Sequence, residues 1–190
     1  MKPYEIIWYG RGGQGAVTAA KIVAQSAYLQ GYQGVTATPS FGAERRGVPV
    51  SASTRISPEP IRVVSQVEKA DVIVVLDHTI LRYQETIDSL EKGGWLVVNA
   101  FQNVTKLGIR DDVNIASVDA TAVCQELGLL VAGLTVVNTA MLGAFIRATE
   151  VVDMATIEKV IRARFSNNTV AINLAAMKKS YEITRLERMS

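Results

Sequence analysis

The first thirty residues predict a strand, a glycine-rich turn and a helix in direct succession. Tyr4–Tyr9 is β-branched and aromatic and stops at a glycine, which is typical of a buried strand. Ala16–Gln30 carries good helix formers, with apolar residues at helical spacing. The turn between them consists of Gly10, Arg11, Gly12, Gly13, Gln14 and Gly15. This order is the one expected at the start of an α/β sheet.

The rest of the chain continues the alternation and then changes to helices. Further strands are predicted at Val35–Thr38, Asp71–Leu76, Trp95–Val98 and Asn114–Val118. Helices are predicted at Ile80–Glu91, Val136–Thr149, Met154–Phe165 and Ala171–Glu187. Two extended runs, Val48–Ile56 and Ile61–Val64, flank a proline-rich turn and predict a β-hairpin. We therefore expect a single domain over residues 1–190: a three-layer α/β/α fold with a mostly parallel sheet, a β-hairpin addition and a helical C-terminal end.

Composition excludes several kinds of site. Hydrophobic residues make up 48% and charged residues 20%, with a net charge of only +2, so neither nucleic acid nor a membrane surface is an expected partner. Cys124 is the one cysteine and His78 the one histidine. The chain therefore cannot form a disulfide framework, a self-contained iron–sulfur cluster or a His/Cys zinc site. No apolar run approaches membrane-spanning length, and the expected compartment is the cytoplasm.

The glycine-rich turn matches the pattern G-x-G-x-x-G at the start of a helix. Free amides and the positive end of the helix dipole favour an anion there, and Arg11 adds a positive charge. A site for NAD also wants an acidic residue at the end of the second strand, where Ala37-Thr38-Pro39-Ser40 supplies none. The glycines could equally serve only to pack the first helix on the sheet.

The loop Phe41–Val50 carries a pair of adjacent arginines, Arg45 and Arg46, between glycines. Arginine forks bind phosphates and carboxylates, so the pair is a candidate anion clamp or docking loop. A solvated loop with a local Glu44–arginine pair is the alternative, and the residues alone leave both open. Elsewhere we expect Asp77 and Asp119 to cap helices or turns, and Cys124 to be a small buried hydrophobe.

Four stretches in order resemble one known family. They are GRGGQGAVTAAKI at 10–22, PSFGAERRGVPV at 39–50, NTAMLGAFIRAT at 138–149 and NLAAMKKSYE at 173–182. Together they resemble the gamma subunit of pyruvate and related 2-oxoacid:ferredoxin oxidoreductases. The form FGAERRG is more similar to the pyruvate or ketoisovalerate branch than to the 2-oxoglutarate branch.

The resemblance implies thiamine-dependent oxidative decarboxylation of a 2-oxoacid to acyl-CoA and CO2, with electrons passing to ferredoxin. Thiamine diphosphate, Mg²⁺ and [4Fe–4S] clusters are expected on partner subunits, a thiamine-binding chain and a ferredoxin-like chain, so this chain should be inactive alone. Its own contribution could be contacts from Gly10–Gly15, Arg45 and Arg46 to the phosphates of coenzyme A, or to a partner subunit. Two other functions stay open: a stand-alone NAD(P)-binding oxidoreductase and a purely structural scaffold.

Overall fold

The fold is described from a computed structural model, covering residues 2–40, 49–62, 65–100, 109–131 and 134–189. The strands are β1 (Tyr4–Arg11), β2 (Gly34–Ser40), β3 (Pro49–Ser57), β4 (Ala70–Val75), β5 (Leu90–Asn99), β6 (Asn114–Val118), β7 (Leu130–Val131), β8 (Leu134–Thr135) and β9 (Arg185–Glu187). The α-helices are α1 (Ala16–Leu29), α2 (Gln84–Asp88), α3 (Ala120–Glu126), α4 (Asn138–Thr149), α5 (Met154–Arg164) and α6 (Asn167–Ile183). A short 3-10 helix spans His78–Arg82.

Seven strands form one sheet in the order β2-β3-β1-β4-β5-β6-β9. The adjacent strands β1, β4, β5 and β6 pair in parallel. Strand β3 is antiparallel to both β1 and β2, and β9 is antiparallel to β6. Five strands thus run in the same direction, since two reversals return β2 to the direction of β1. The α/β class with a mostly parallel sheet is confirmed.

The antiparallel addition lies elsewhere than the sequence predicted. A hairpin across the proline-rich turn at 57–60 is wrong, because β3 pairs with β2 on one side and with β1 on the other. The described residues after Ser57 form no strand before β4. Instead they cross the start of β2 so closely that a Cβ on Gly34 would collide with the carbonyl oxygen of Glu59. The addition to the sheet is therefore the pair β2 and β3.

Two layers of unequal thickness cover the sheet. On one face α1, α3, α4, α5 and α6 bury the larger core, where Trp8 packs against Phe145 with ring centroids 5.2 Å apart and the ring planes tilted by 49°. The indole of Trp8 also donates a hydrogen bond to Thr54 Oγ1 at 3.1 Å, so its polar end is satisfied. On the other face the 3-10 helix and α2 cover a smaller core that includes Ile73 and Leu96.

The predicted helix Ile80–Glu91 is wrong in its extent. It divides into the 3-10 helix and α2, and β5 already begins at Leu90. Gly93 and Gly94, which follow the predicted helix in the sequence, lie inside β5. Glycine is needed at position 94 because β5 packs closely against β4: a Cβ on Gly94 would lie 2.7 Å from the carbonyl oxygen of Asp71. Glycine therefore permits a close strand approach here instead of a helix end.

The helical C-terminal end is confirmed, with one change at its last turn. Asp153 caps α5 by accepting a hydrogen bond from the amide of Thr156 at 2.6 Å. The final helix ends at Ile183, and β9 then pairs with β6, so the prediction of helix to Glu187 is wrong. Across the described part of the chain, no helix has the length and apolar character needed to cross a bilayer.

Candidate functional site

A cleft opens at the carboxyl ends of β1, β4, β5 and β6. The chain leaves β1 through α1 toward β2 on one side, while β4 flanks β1 on the other, so the topology switches direction between β1 and β4. Open α/β sheets bind ligands at such a switch point. The cleft has a volume of about 460 Å³, and its polar lining residues are Gln14, Asp77, His78, Thr79, Asn99, Asp119, Thr121 and Gln125.

The glycine-rich turn forms one wall of the cleft and is stabilised by hydrogen bonds within the turn itself. The side chain of Gln14 accepts a hydrogen bond from the amide of Arg11 at 2.7 Å, and the amide of Gln14 donates to the carbonyl of Arg11 at 3.0 Å. Gly13 and Gly15 have φ of 95° and 88°, the left-handed region that favours glycine. The sequence thus specifies this turn through its glycines and its one glutamine.

Helix α1 begins at this turn without a side-chain cap. Its N-cap is Gly15, which has no side chain to accept the first amides, and its first turn contains no acidic residue. The first intrahelical bond runs from the amide of Ala19 to the carbonyl of Gly15 at 2.9 Å. The preceding amides of the helix therefore point toward the switch point as donors, with the positive end of the helix dipole.

Arg11 is tied to the end of β4. Its Nε donates to Asp77 Oδ2 at 2.8 Å and its Nη2 to Thr79 Oγ1 at 2.7 Å. Burial disfavours the charged form of Asp77, but hydrogen bonds from the hydroxyl and amide of Thr79 and from Arg11 outweigh it and lower the pKa of Asp77. The ion pair fixes the turn against β4 and offsets the charge of Arg11. Asp77 also caps the 3-10 helix through the amide of Thr79, as predicted.

Asn99 joins the ends of three elements at the floor of the cleft. Its Nδ2 donates to the carbonyl of Leu76 and to Thr121 Oγ1, both at 2.9 Å, and its Oδ1 accepts from the amide of Thr121 at 3.3 Å. Asp119 caps α3 by accepting from the amide of Ala122 at 2.8 Å, as predicted. Sequence reasoning missed Asn99, although its place directly after the predicted strand Trp95–Val98 was an available signal.

The other candidate residues from the sequence are distributed differently. Arg45 and Arg46 lie outside the described residues, so their predicted role stays a prediction. His78 is half-buried in the 3-10 helix and lines the cleft. Cys124 is buried, as predicted, and burial raises the pKa of its thiol to about 12. The described ranges hold no group of three His, Cys, Asp or Glu side chains arranged to bind a metal.

The sheet order argues against the NAD mode of binding. In a dinucleotide site an acidic residue at the end of the second strand reaches the ribose of a ligand on the first. Here β3 lies between β1 and β2, so the end of β2 is two strand spacings, roughly 10 Å, from the end of β1. The end of β2 also carries no carboxylate. The turn can bind an anion, but it lacks the nearby acidic residue that would hold the ribose of a nicotinamide dinucleotide.

Comparison with known proteins gives a consistent set of relatives. The chain is 40% identical to the pyruvate/ketoisovalerate oxidoreductases common subunit gamma of Thermococcus litoralis, over 95% of this chain and 96% of that subunit. It is 39% identical to the pyruvate synthase subunit PorC of Methanosarcina barkeri, over 96% and 98%. The crystal structure of the pyruvate oxidoreductase subunit PORC from Thermotoga maritima matches with a TM-score of 0.85 and 33% identity, covering 99% of this chain and 100% of that one.

Fold and site together define an α/β protein whose open helix N-terminus faces the switch point of its sheet. Residues 5–183 match the family described as pyruvate ferredoxin/flavodoxin oxidoreductase. The chain belongs to this family, in which it is a gamma-type subunit of an oxidoreductase complex. The family resemblance seen in the sequence is thereby confirmed.

Proposed function

We propose that this chain serves a complex that oxidatively decarboxylates a 2-oxoacid of the pyruvate or ketoisovalerate type to acyl-CoA and CO2, and that its own part is to bind coenzyme A. Relatives named for pyruvate and ketoisovalerate support the substrate class. In this proposal thiamine diphosphate, Mg²⁺ and [4Fe–4S] clusters belong to thiamine-binding and ferredoxin-like partner chains, and ferredoxin receives the electrons. The cytoplasm stays the expected compartment.

The observation that carries the coenzyme A proposal is the uncapped N-terminus of α1 beside the cleft. Coenzyme A carries a pyrophosphate and a 3′-phosphate, and helix N-termini with free amides bind phosphate oxygens. The turn fits this group because Gly15 leaves the first amides open and no acidic side chain lies in the first turn. The residues Gly10–Gly15 would therefore hold a phosphate through the backbone.

Arg11 supports this site from behind. Its guanidinium already bonds Asp77 and Thr79, so the turn amides provide more of the attraction than its charge does. Arg45 and Arg46 are proposed to add positive charge from the connection between β2 and β3. The described ends of that connection support this, since Ser40 pairs with Ser51 and Pro49 pairs with Arg11 at the same edge of the sheet.

The cleft itself suits the uncharged part of the ligand. Its lining includes the carboxylates Asp77 and Asp119, which would repel a second phosphate at close range. Asn99, Thr121 and Gln125 offer amide and hydroxyl groups to a neutral, hydrogen-bonding chain. Phosphates at the turn and amide-bearing groups in the cleft would give coenzyme A one orientation.

The double substitution Arg45→Ala/Arg46→Ala tests this proposal in the assembled complex. We expect the KM for coenzyme A to rise at least about tenfold while the KM for the 2-oxoacid stays nearly unchanged, because each charge-assisted hydrogen bond contributes roughly 1.5–3 kcal/mol. The effect should shrink at high salt if the contact is exposed. Steady-state kinetics with each substrate varied in turn gives both constants.

Arg162→Ala/Arg164→Ala is the matched control, since it removes two arginines from the last turn of α5, which contributes no residue to the cleft. It should leave both constants unchanged. Loss of assembly in the Arg45/Arg46 variant, seen by size-exclusion chromatography, would assign the pair to a partner contact. Normal assembly with both constants unaltered would reject the clamp and favour a scaffold role.

A further inference from the structure

A groove lies between α5 and α6 on the outer surface of the helical layer. It has a volume of about 640 Å³, and none of its described lining residues is shared with the cleft at the glycine-rich turn. Its lining residues are Arg162, Asn167, Val170, Ala171, Leu174, Ala175 and Lys178. Val170 and Leu174 are 8% and 6% exposed and also pack in the larger core. The floor of the groove is therefore apolar and held in place by the core.

Small side chains on α6 leave the groove open to the backbone of another helix. Ala171 and Ala175 are both exposed, and they lie one helical turn apart on the face that also carries Asn167 and Lys178. Alanine at these positions permits a short distance between helix axes. The stretch 167–178 extends over about 16 Å, which is roughly three helical turns. The shape of the groove thus fits a helix of about this length.

The groove lies within a strongly basic stretch of the chain. Residues 159–181 contain five of the twenty lysines and arginines and none of the eighteen aspartates and glutamates. Because the net charge of the whole chain is only +2, the residues outside this stretch are net negative. An acidic protein surface would be attracted to this part of the chain and repelled by the remainder.

Two cations at the rim of the groove share one carboxylate. Lys178 Nζ lies 2.8 Å from Glu158 Oε1, and Arg162 Nη2 lies 3.9 Å from Glu158 Oε2. The side chains of Lys178 and Arg162 are 49% and 61% exposed, so both can contact a second carboxylate from outside. An exposed rim charge such as Arg162 speeds docking more than it holds a complex together, so a variant without it should still assemble.

We propose that this groove binds an acidic amphipathic helix of another subunit of the oxidoreductase complex. Small apolar side chains of that helix pack on Ala171 and Ala175, and its carboxylates lie beside Lys178 and Arg162. As a gamma-type subunit, the chain requires a surface for its partners. The groove of a second copy is a poor occupant, because the two basic surfaces would repel each other. The proposal does not depend on coenzyme A binding, since groove and cleft are separate.

Ala171→Gln/Ala175→Gln tests the proposal by filling the groove with two long neutral side chains. Glutamine is a good helix former and both positions are exposed, so the thermal midpoint of the chain should be unchanged. We expect the dissociation constant between the full chain and the remaining subunits, measured by isothermal titration calorimetry, to rise at least about tenfold. Ala155→Gln/Ala163→Gln is the matched control, because both alanines are exposed on α5 outside the groove. It should leave the dissociation constant unchanged.

Glu158→Gln tests the charge of the occupant. The substitution removes the carboxylate that Lys178 and Arg162 share and makes the rim more positive. At low salt the dissociation constant should fall about threefold or more, and the difference from wild type should disappear at about 1 M salt. Weaker association of this variant at low salt would show that the occupant is not acidic.

Two results would overturn the proposal. One is an unchanged dissociation constant in Ala171→Gln/Ala175→Gln. The other is a chain that dimerises alone in sedimentation equilibrium and loses only this dimer in the same variant, because the occupant would then be a second copy. Complexes of the variant that assemble at high subunit concentration should keep the wild-type KM for coenzyme A. The coenzyme A proposal is therefore tested separately.

Discussion

At the scale of single residues, the ion pair between Arg11 and Asp77 connects the glycine-rich turn to the end of β4. The two side chains are 24% and 19% exposed, so the pair is partly shielded from water. Thr79 adds two hydrogen bonds to the same carboxylate. Because charge-assisted hydrogen bonds of this kind strengthen as water is excluded, the pair should contribute measurably to stability.

Asp77→Asn should lower the free energy of unfolding at pH 7 by about 1–3 kcal/mol. The pH dependence of this loss follows from the lowered pKa of Asp77. The folded state favours the charged carboxylate, so Asp77 stabilises the fold at pH values above its ordinary pKa of 3.8. The difference between wild type and variant should shrink as the pH falls below that value toward the lower pKa of Asp77 in the folded state. Urea unfolding from about pH 7 down to about pH 3 measures it.

Asp112→Asn is the control for that experiment. Asp112 pairs with Arg110 at 2.8 Å on the surface, and the hydrogen bond from Arg110 lowers the pKa of Asp112 in the same direction. This more exposed pair should contribute less than Asp77 does. If the two variants lost the same free energy of unfolding, or if the loss in Asp77→Asn did not depend on pH, the Arg11–Asp77 ion pair would not stabilise the fold as described.

Gly15→Ala tests the close contact between α1 and Asn138. Two costs add at this position: alanine at φ of 88° costs roughly 1–2 kcal/mol, and its Cβ collides with the amide of Asn138. Gly31→Ala carries the first cost alone, because Gly31 has φ of 95° and nothing within 4 Å of an added Cβ. Urea unfolding should show the larger loss for Gly15→Ala. Equal losses would mean that Asn138 moves aside freely.

At the scale of elements, the sequence predicted strand–turn–helix units well and strand partners poorly. Local composition and helical spacing located α1, β6 and α5 to within a residue or two. The partners of β3 and the start of β5 depend on contacts between distant segments, such as Gly34 under Glu59 and Gly94 against Asp71. The contact between Gly15 and Asn138 has the same cause, since only the folded chain brings these two residues together.

Gly143→Ala tests the packing of α4 against α6. In most helix interiors, replacing glycine by alanine raises the free energy of unfolding by roughly 0.5–1 kcal/mol. At position 143 the added Cβ would instead collide with the backbone carbonyl of Met177. We expect a loss of roughly 1–3 kcal/mol in the free energy of unfolding because the helices must separate. Ala171→Gly, on the exposed side of α6, measures the ordinary preference of a helix for alanine over glycine, and it should also lower the free energy of unfolding. Stabilisation by Gly143→Ala would show that the crossing is looser than described.

At the scale of the whole molecule, the chain is one part of an oxidoreductase and not a complete enzyme. Its one cysteine cannot ligate an iron–sulfur cluster, and its sequence carries no Gly-Asp-Gly motif followed by Asn for Mg–thiamine diphosphate. What it does carry is a turn and a helix start suited to phosphate, placed at the switch point of the sheet. We therefore propose that the chain binds coenzyme A on behalf of its partner subunits.

Reconstitution of the oxidoreductase with and without this chain tests that claim most directly. The isolated chain should be colourless and should not oxidise pyruvate. The partner subunits should perform coenzyme A-dependent turnover only when this chain is added, with half-maximal rate at a coenzyme A concentration that rises in the Arg45→Ala/Arg46→Ala complex. Partner subunits that turn over with the same KM for coenzyme A in the absence of this chain would show that it does not bind coenzyme A.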